Sequence, residues 1–380
     1  MLEPVADAAI ADFYSHLFVT QPQTRAMFPP AMDTQRQRFY RALSRIIAGQ
    51  EEPRELAAYL TELGRAHRKF GVTREHYDGF GRALADTLRR YARGAWTPTM
   101  AAAWDEAYGH AAGVMIAAAE RDAAHAPPWW LAEVTAHERR GSDLAVLTLA
   151  PGQPVHYLPG QHVSVQTPHW PRLWRDYSVA NAPREDGTLR LHVRAVPGGL
   201  VSTALVHRTA AGDTLLLGAP AGSMTAEAAA ERDVLCLAGG TGLAPIKAII
   251  ESIIGAAGPA QSQAAATAGT ARAAALAGMA GWPREIVLYL GARRASAFYD
   301  LASLRAMQAA YPWLRVIPVV SEEPARGMLS GTIPGIVADA PWQDRDIYIS
   351  GPDEMITKTV RELKRLGAPG ELIHYDTHPF

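Results

Sequence analysis

The sequence predicts a multidomain chain: an all-α domain, a small antiparallel β-barrel, and an α/β domain with a doubly wound parallel sheet. Three changes of texture predict it. Up to about residue 125, apolar residues recur every three or four positions, the period of helices packed on one face. From "PPWW", residues 127–130, short β-branched segments separated by Pro and Gly take over. From about residue 229, buried strands alternate with helices, which argues a parallel sheet covered on both faces. We place the domains at 1–125, 127–228 and 229–380.

The elements follow in order. Ile10, Phe13, Tyr14, Leu17 and Phe18 make one helical stripe. Phe39, Leu43, Ile46 and Ile47 make a second, and Leu56, Tyr59, Leu60 and Leu63 a third. Pro29, Pro30 and Pro53 mark the breaks between them. "DLAVLTLA", "HVSVQ", "RDYSVA" and "LRLHVRAV" read as barrel strands. "DVLCLAGG", "EIVLYLGAR", "LRVIPVVS" and "DIYISGP" read as buried strands, with "LAPIKAIIESII" the helix after the first. Residues 255–282 are rich in Ala, Gly, Gln and Thr, either a loose insertion or a weak helix, and carry no chemistry.

Composition removes several function classes. The chain has 380 residues, 48% of them hydrophobic, enough for more than one core. A net charge of −1 gives no electrostatic case for nucleic acid or an anionic membrane surface. Cys236 is the only cysteine, which excludes an internal disulfide framework, a cysteine zinc cage and a cysteine-ligated iron–sulfur cluster. No apolar run reaches the length of a transmembrane helix. The N-terminal "MLEPVADAAIADFYSHLF" carries early acids and no basic segment, so it does not read as a secretory signal. A cytoplasmic protein is expected, without membrane or nucleic-acid partners.

Several stretches carry possible chemistry. In "WRDYSVAN", residues 174–181, strand alternation puts Arg175 and Tyr177 on one face. An arginine offers a fork for a pyrophosphate, an aromatic a flat support for a ring system, and Ser178 a hydrogen bond to a ring nitrogen. Alone, these residues read better as a surface strand with an exposed Arg–Tyr pair. "LPGQHV" precedes them and "PGGLVSTAL" follows; its glycines let backbone approach a phosphate, and Ser202 stands near a helix start that favours an anion. "LAGGTGLAPI" ends a buried strand and opens a helix, with Gly239, Gly240 and Gly242 keeping side chains away from the turn. In "GARRAS", Arg293 and Arg294 either meet a ribose 2′-phosphate or face solvent, and no acid stands at that strand end to claim a 2′-hydroxyl. In "LGRAHRKFGVTREHYDGFG", His67 is flanked by Arg65, Arg68 and Lys69 and, taken alone, reads as a solvated histidine.

The order R-x-Y-S after P-G-Q, then G-x-V-S, A-G-G-T-G and S-G-P resembles the ferredoxin reductase-type flavoproteins over roughly residues 127–380. The resemblance implies FAD bound by His162, Arg175, Asp176, Tyr177, Ser178, Gly199, Val201 and Ser202. Tyr177 would lie against the isoalloxazine, Ser178 near its N5 and Arg175 on the pyrophosphate, while His162 stands where the family has tyrosine or phenylalanine. NADH or NADPH is assigned to Gly239, Gly240, Thr241, Gly242 and Pro245, with Gly351 and Pro352 in the same crevice. His378 or Phe380 would take the place of a C-terminal aromatic against the flavin.

A flavin reductase behind an all-helical domain resembles the flavohaemoglobins, and so implies an all-α globin domain, an FAD-binding barrel and an NAD(P)-binding α/β domain. "DFYSHLF" would place Tyr14 over the iron of haem b, and "TRAMFPP" would supply Phe28 against the haem. "TQRQRFYRAL" supplies Gln35 and Phe39, one turn apart and so on one face. "RAHRKFGV" supplies His67 as the proximal ligand, "REHYDGFG" supplies Tyr77, and "AAWDEAYGH" matches the start of the last globin helix. Two positions depart from the family. Ala66 stands where a lysine usually pairs with a haem propionate, so Arg65 or Arg68 would have to serve. The family's last-helix glutamate falls on Ala119; Glu120 is one residue late, about 100° around the helix.

The implied activity is nitric oxide dioxygenation: NAD(P)H reduces FAD, FAD passes single electrons to haem, and O₂ held under Tyr14 reacts with nitric oxide to give nitrate. Tyr14, Gln35 and Tyr77 are the expected catalytic residues. The competing reading is an NAD(P)H–flavin reductase whose globin domain is a haem sensor, haemless or peroxidase-like. The expected assembly is a monomer or weak oligomer, with O₂ and nitric oxide as its small-molecule partners.

Overall fold

A computed structural model describes residues 3–49, 52–226, 232–256 and 284–376. The helical part comprises α1 (Glu3–Thr20), α2 (Asp33–Ala48), α3 (Pro53–His67), α4 (Arg74–Ala92) and α5 (Pro98–Ala123). Pro53 and Pro98 occupy the first helical positions, where the missing N–H costs nothing, and Thr97 Oγ1 caps α5 by accepting from the Met100 backbone N–H at 3.2 Å. Phe13, Leu17 and Leu60 are fully buried, as the stripes predict. Helix α3 packs on α5 at a close crossing: a Cβ at Gly64 would overlap the Met115 backbone. Helix α2 differs from the rest. It is amphipathic, yet none of its residues is fully buried, because its apolar face (Phe39, Leu43, Ile46 and Ile47) turns toward a cavity.

Six strands form the antiparallel barrel in the order β4-β3-β6-β1-β2-β5. They are β1 (Trp130–Arg139), β2 (Leu144–Pro151), β3 (His162–Gln166), β4 (Arg175–Ser178), β5 (Leu189–Arg194) and β6 (Thr214–Leu217), with α6 (Leu200–His207) between the last two. A bridge between Val179 and Leu191 brings the ends of β4 and β5 together and nearly closes the barrel around Val163, Leu147, Leu191 and Leu217. The remaining strands lie in one parallel sheet, order β10-β9-β8-β7-β11-β12. They are β7 (Val234–Gly239), β8 (Ile286–Ala292), β9 (Leu314–Val320), β10 (Leu329–Ser330), β11 (Asp346–Ser350) and β12 (Ile373–His374). Every residue of β7 is buried, and separate apolar cores cover its two faces, one of them built on α7 (Leu243–Ala256). The chain leaves β7 toward β8 and later returns to β11 on its other side. The switch point of the sheet therefore lies between β7 and β11, where such sheets bind ligands. No helix among the described residues is long and apolar enough to cross a membrane.

Candidate haem, flavin and nucleotide sites

A cavity of about 580 Å³ opens inside the helical domain, within the range of cofactor pockets. Tyr14, Phe28, Gln35, Phe39, His67 and Tyr77 all line it, so residues scattered over the first 77 positions meet around one space. On one wall Gln35 Nε2 donates to the Tyr14 hydroxyl oxygen at 3.3 Å. That bond occupies the oxygen as an acceptor and leaves the Tyr14 proton to donate elsewhere. Burial, opposed by the Gln35 hydrogen bond, pushes the Tyr14 hydroxyl up to about 12. Phe28 and Phe39 pack edge-on against the Tyr14 ring at 5.4 and 5.9 Å.

His67, also in the lining, ends α3. Its Nδ1–H donates to the Leu63 carbonyl one turn back at 2.6 Å, which fixes the tautomer with Nε2 as the free lone pair. Burial lowers the imidazole pKa, against the Leu63 hydrogen bond, and nearby Lys69 lowers it further; the ring is thus neutral and ready to ligate a metal. The Tyr77 ring lies 6.3 Å from the His67 ring. The unburied apolar face of α2, an aromatic wall, one basic nitrogen and one hydroxyl donor around the same space fit a flat, largely apolar macrocycle with a ligatable iron. Other histidines fit less well: His76 Nδ1 is engaged with Thr73, accepting from its backbone N–H at 2.9 Å, and His110 is exposed on α5.

On the barrel, Arg175 and Tyr177 share one face of β4, as strand alternation requires, and Ser178 ends the strand. Arg175 Nη1 donates to its neighbour's carbonyl, Trp174 O, at 2.8 Å. Gly199 precedes α6, but Val201 is only 1% exposed and belongs to the barrel core. Ser202 Oγ is already used, donating to Gly199 O at 3.2 Å and accepting from the Val196 N–H. These two residues shape the helix start rather than present side chains to a ligand. Asp176 faces the other way, toward the helical domain: Ser164 Oγ donates to its Oδ1 at 2.5 Å. His162 pairs by backbone with Ala221, and its ring stands beside Gly222.

In the parallel sheet, Gly239, Gly240, Thr241 and Gly242 leave the end of β7, and Gly351 and Pro352 leave the end of β11 beside them. A Cβ at Gly242 would overlap the Ser350–Gly351 backbone, so the two turns touch directly. Gly240 has φ 57°, a left-handed conformation suited to glycine. Backbone N–H groups at the start of α7 thus border the switch point, where an anion is favoured. Arg293 and Arg294 lie on the surface, paired with Glu322 after β9, Arg294 Nε at 2.9 Å. An acid therefore does stand beside these arginines, contributed by the next strand rather than by their own.

Family models match all three parts in chain order: Globin over residues 11–115, Oxidoreductase FAD-binding domain over 131–225 and Oxidoreductase NAD-binding domain over 236–361. The flavohemoprotein of Bordetella pertussis is 30% identical over 275 residues, 67% of this chain and 68% of that protein. The chain belongs to the flavohaemoglobin family. The flavohemoprotein of Rhizobium meliloti aligns with this flavohaemoglobin over 97% of its length and 92% of its own, at 26% identity. A flavohemoglobin of Malassezia yamatoensis, whose crystal structure contains FAD and heme, shares the fold with a TM-score of 0.74 over 99% of this chain and 96% of that one, at 17% identity.

The structure resolves the two departures of this flavohaemoglobin. Glu120 is exposed, pairs with Arg74 at 2.9 Å and does not line the cavity, and Ala119 offers no carboxylate in its place. The Tyr77 hydroxyl is buried without a hydrogen-bond partner among the described residues, and burial raises it to about 12. Arg65 and Arg68 do not reach the cavity. Both bind Asp122 on α5, Arg65 Nε at 3.0 Å, so neither replaces the lysine missing at Ala66. His378, Phe380 and most of the 255–282 stretch lie outside the described residues. Sequence reasoning missed Asp376, which accepts from the Ser223 and Met224 backbone N–H groups at 3.0 and 3.2 Å and ties the last strand's exit to the barrel. It also missed His192 and Tyr299, whose 2.8 Å hydrogen bond joins the barrel to the parallel-sheet domain; burial first, then Lys247, pushes the His192 imidazole down to about 3.

Proposed function

We propose that this flavohaemoglobin is an NAD(P)H-dependent nitric oxide dioxygenase that uses haem b and FAD. The reading rests on one observation: a single cavity is lined by His67 and by the Tyr14–Gln35 pair and has Trp174 and Asp176 of the flavin barrel in its wall. When bound, FAD supplies the conversion from hydride to single electrons and haem supplies the iron at which O₂ and nitric oxide meet.

The chain's own residues position and polarise. His67 would hold the iron through Nε2, its ring orientation set by the Leu63 carbonyl. The Tyr14 hydroxyl would donate a hydrogen bond to a partly negative diatomic ligand, and Gln35 holds the hydroxyl by donating to its oxygen. Phe28, Phe39 and Phe80 keep water from the distal side. Arg175, Tyr177 and Ser178 seat the flavin on β4, and the glycine turns at the switch point seat the nicotinamide nucleotide. Among the described residues no carboxylate hydrogen-bonds the Tyr77 hydroxyl, and the His67 N–H is shared only with the Leu63 backbone carbonyl.

His67→Ala tests the reading by separating two activities in one protein. Haem should be lost or misligated, and nitric oxide consumption in air should collapse. Reduction of an artificial acceptor by NAD(P)H should survive, because it needs only the barrel and the parallel-sheet domain. A normal haem spectrum in the variant would move the ligand elsewhere. Wild-type protein that consumes nitric oxide no faster than free haem would overturn the dioxygenase reading in favour of a reductase with a sensing or peroxidase-like globin domain.

A further inference from the structure

The cations around the haem cavity divide into two sets. Arg65 and Arg68, which do not line it, are both paired with Asp122. Arg38, Lys69 and Arg172, which do line it, have no carboxylate within 4.0 Å among the described residues. Arg38 Nε is buried without a hydrogen-bond partner among those residues. Lys69 Nζ sits between the Phe70 and Trp174 rings at 5.4 and 5.5 Å and donates to Ser164 Oγ at 2.6 Å. The one carboxylate in the cavity wall is Asp176, reached from Lys69 only through Ser164 Oγ. The wall therefore carries three cations against one carboxylate, an excess of two positive charges in an otherwise aromatic and aliphatic space. Arg38 and Lys69 are partly withdrawn from solvent, where a charge is stable only when paired, and Arg172 stands at the exposed rim. The excess lies at the end where the cavity meets the barrel, since Arg172, Trp174, Ser164 and Asp176 all belong to it.

We infer that Arg38, Lys69 and Arg172 bind the two haem propionates, with Lys69 taking the part of the lysine that Ala66 replaces, so that the flavin barrel completes the haem site. The two carboxylates of haem match the excess of two charges. The Ser164 hydroxyl, anchored on Asp176, holds Lys69 at the seam in readiness, and Arg172 reaches the globin domain by donating to the Ala26 carbonyl at 3.3 Å. The inference rests on the haem reading of the cavity and adds which residues hold the charged edge of the ligand.

The test compares haem with haem dimethyl ester, in which both propionates are uncharged. Full-length, FAD-loaded protein is reconstituted with each porphyrin, and transfer to excess apomyoglobin is timed. Wild type should hold haem more tightly than the ester. Lys69→Met, which keeps the apolar stem between the two rings, should cut that preference roughly tenfold, about 1.4 kcal/mol, and leave ester retention unchanged. Lys69→Arg should restore the preference, and Arg65→Met should not alter it. Flavin occupancy in each variant reports that the chain is folded. Equal losses of haem and ester in Lys69→Met would overturn the inference by showing a packing role. Wild type that holds haem and ester equally would overturn it while leaving the haem reading intact. Wild type that takes up neither porphyrin at one per chain would overturn both.

Discussion

In the proposed function Tyr14 acts through one group, its hydroxyl. The ring is held by Phe13, Phe28 and Phe39, so Tyr14→Phe should leave haem content unchanged and remove only the donor. A hydrogen bond to a partly charged acceptor is worth about 1.5–3 kcal/mol, so O₂ dissociation measured by stopped flow should accelerate roughly 10- to 100-fold. Burial raises the hydroxyl to about 12, so the donor form persists through neutral pH, and wild-type O₂ release should be flat until pH approaches that value. Tyr77 is the contrasting case. Its hydroxyl is buried with no partner among the described residues, so removing it costs no hydrogen bond and relieves a desolvated group. Tyr77→Phe should keep the haem spectrum and melt no lower than wild type, with any change a gain of up to about 1 kcal/mol. A lower melting point together with a shifted haem spectrum would show that the hydroxyl gains a partner once haem is bound.

Helix α3 shows how an element sets a residue's reach. The helix approaches α5 so closely at Gly64 that a methyl group would overlap the Met115 backbone. His67 lies three residues later on the same helix. Gly64→Ala should therefore push α3 from α5, cost about 1–3 kcal/mol in thermal or urea unfolding, and loosen haem binding without touching the flavin. Unchanged stability and haem retention would mean that the crossing relaxes freely. The helical stripes, the barrel strands and the alternating elements of the last domain were legible because one-sided burial imposes periods of 3.6 and 2 on a sequence. Position within an element was legible too: one helical turn joined Gln35 to Phe39, and strand alternation joined Arg175 to Tyr177. What an element faces was not. The stripe on α2 reads as an ordinary core face, yet it lines the cavity, because apolar residues that cover a ligand have the same pattern as those that cover protein.

At the scale of the whole molecule, a polar seam joins the globin domain to the barrel. Burial favours the neutral form of Asp176, but His162, Lys69, Ser164 and Arg38 together hold its carboxyl below the usual range. A carboxylate whose pKa is lower in the folded chain stabilises it fully above the unfolded value of about 3.9, and the contribution is lost as pH falls through the lower folded value. The carboxylate's own contribution to the seam should thus be constant from about pH 5 upward and be lost only in stronger acid. Small-angle scattering should show a constant radius of gyration down to that point and an expansion below it. Asp176→Asn should weaken the seam already at neutral pH; identical profiles for the two proteins would remove Asp176 from the interface.

The sequence by itself determined the three textures, the order of the motifs and the residues that meet across the cavity, since Tyr14, Phe28, Gln35, Phe39, His67 and Tyr77 were each readable from local pattern and resemblance. Only the tertiary structure decided which charges remain unpaired. Arg65, Arg68 and Lys69 are neighbours of His67 and look alike in the chain, but Asp122, some 55 residues on, takes the two arginines, while Ser164, 95 residues on, takes the lysine. Likewise Asp176 reads as part of a flavin motif, and the pleat of β4 turns it toward the globin domain instead. Periodicity records whether a residue is inside or outside, because burial acts on each position separately. Charge pairing is a contact between distant segments, and no local pattern encodes the partner.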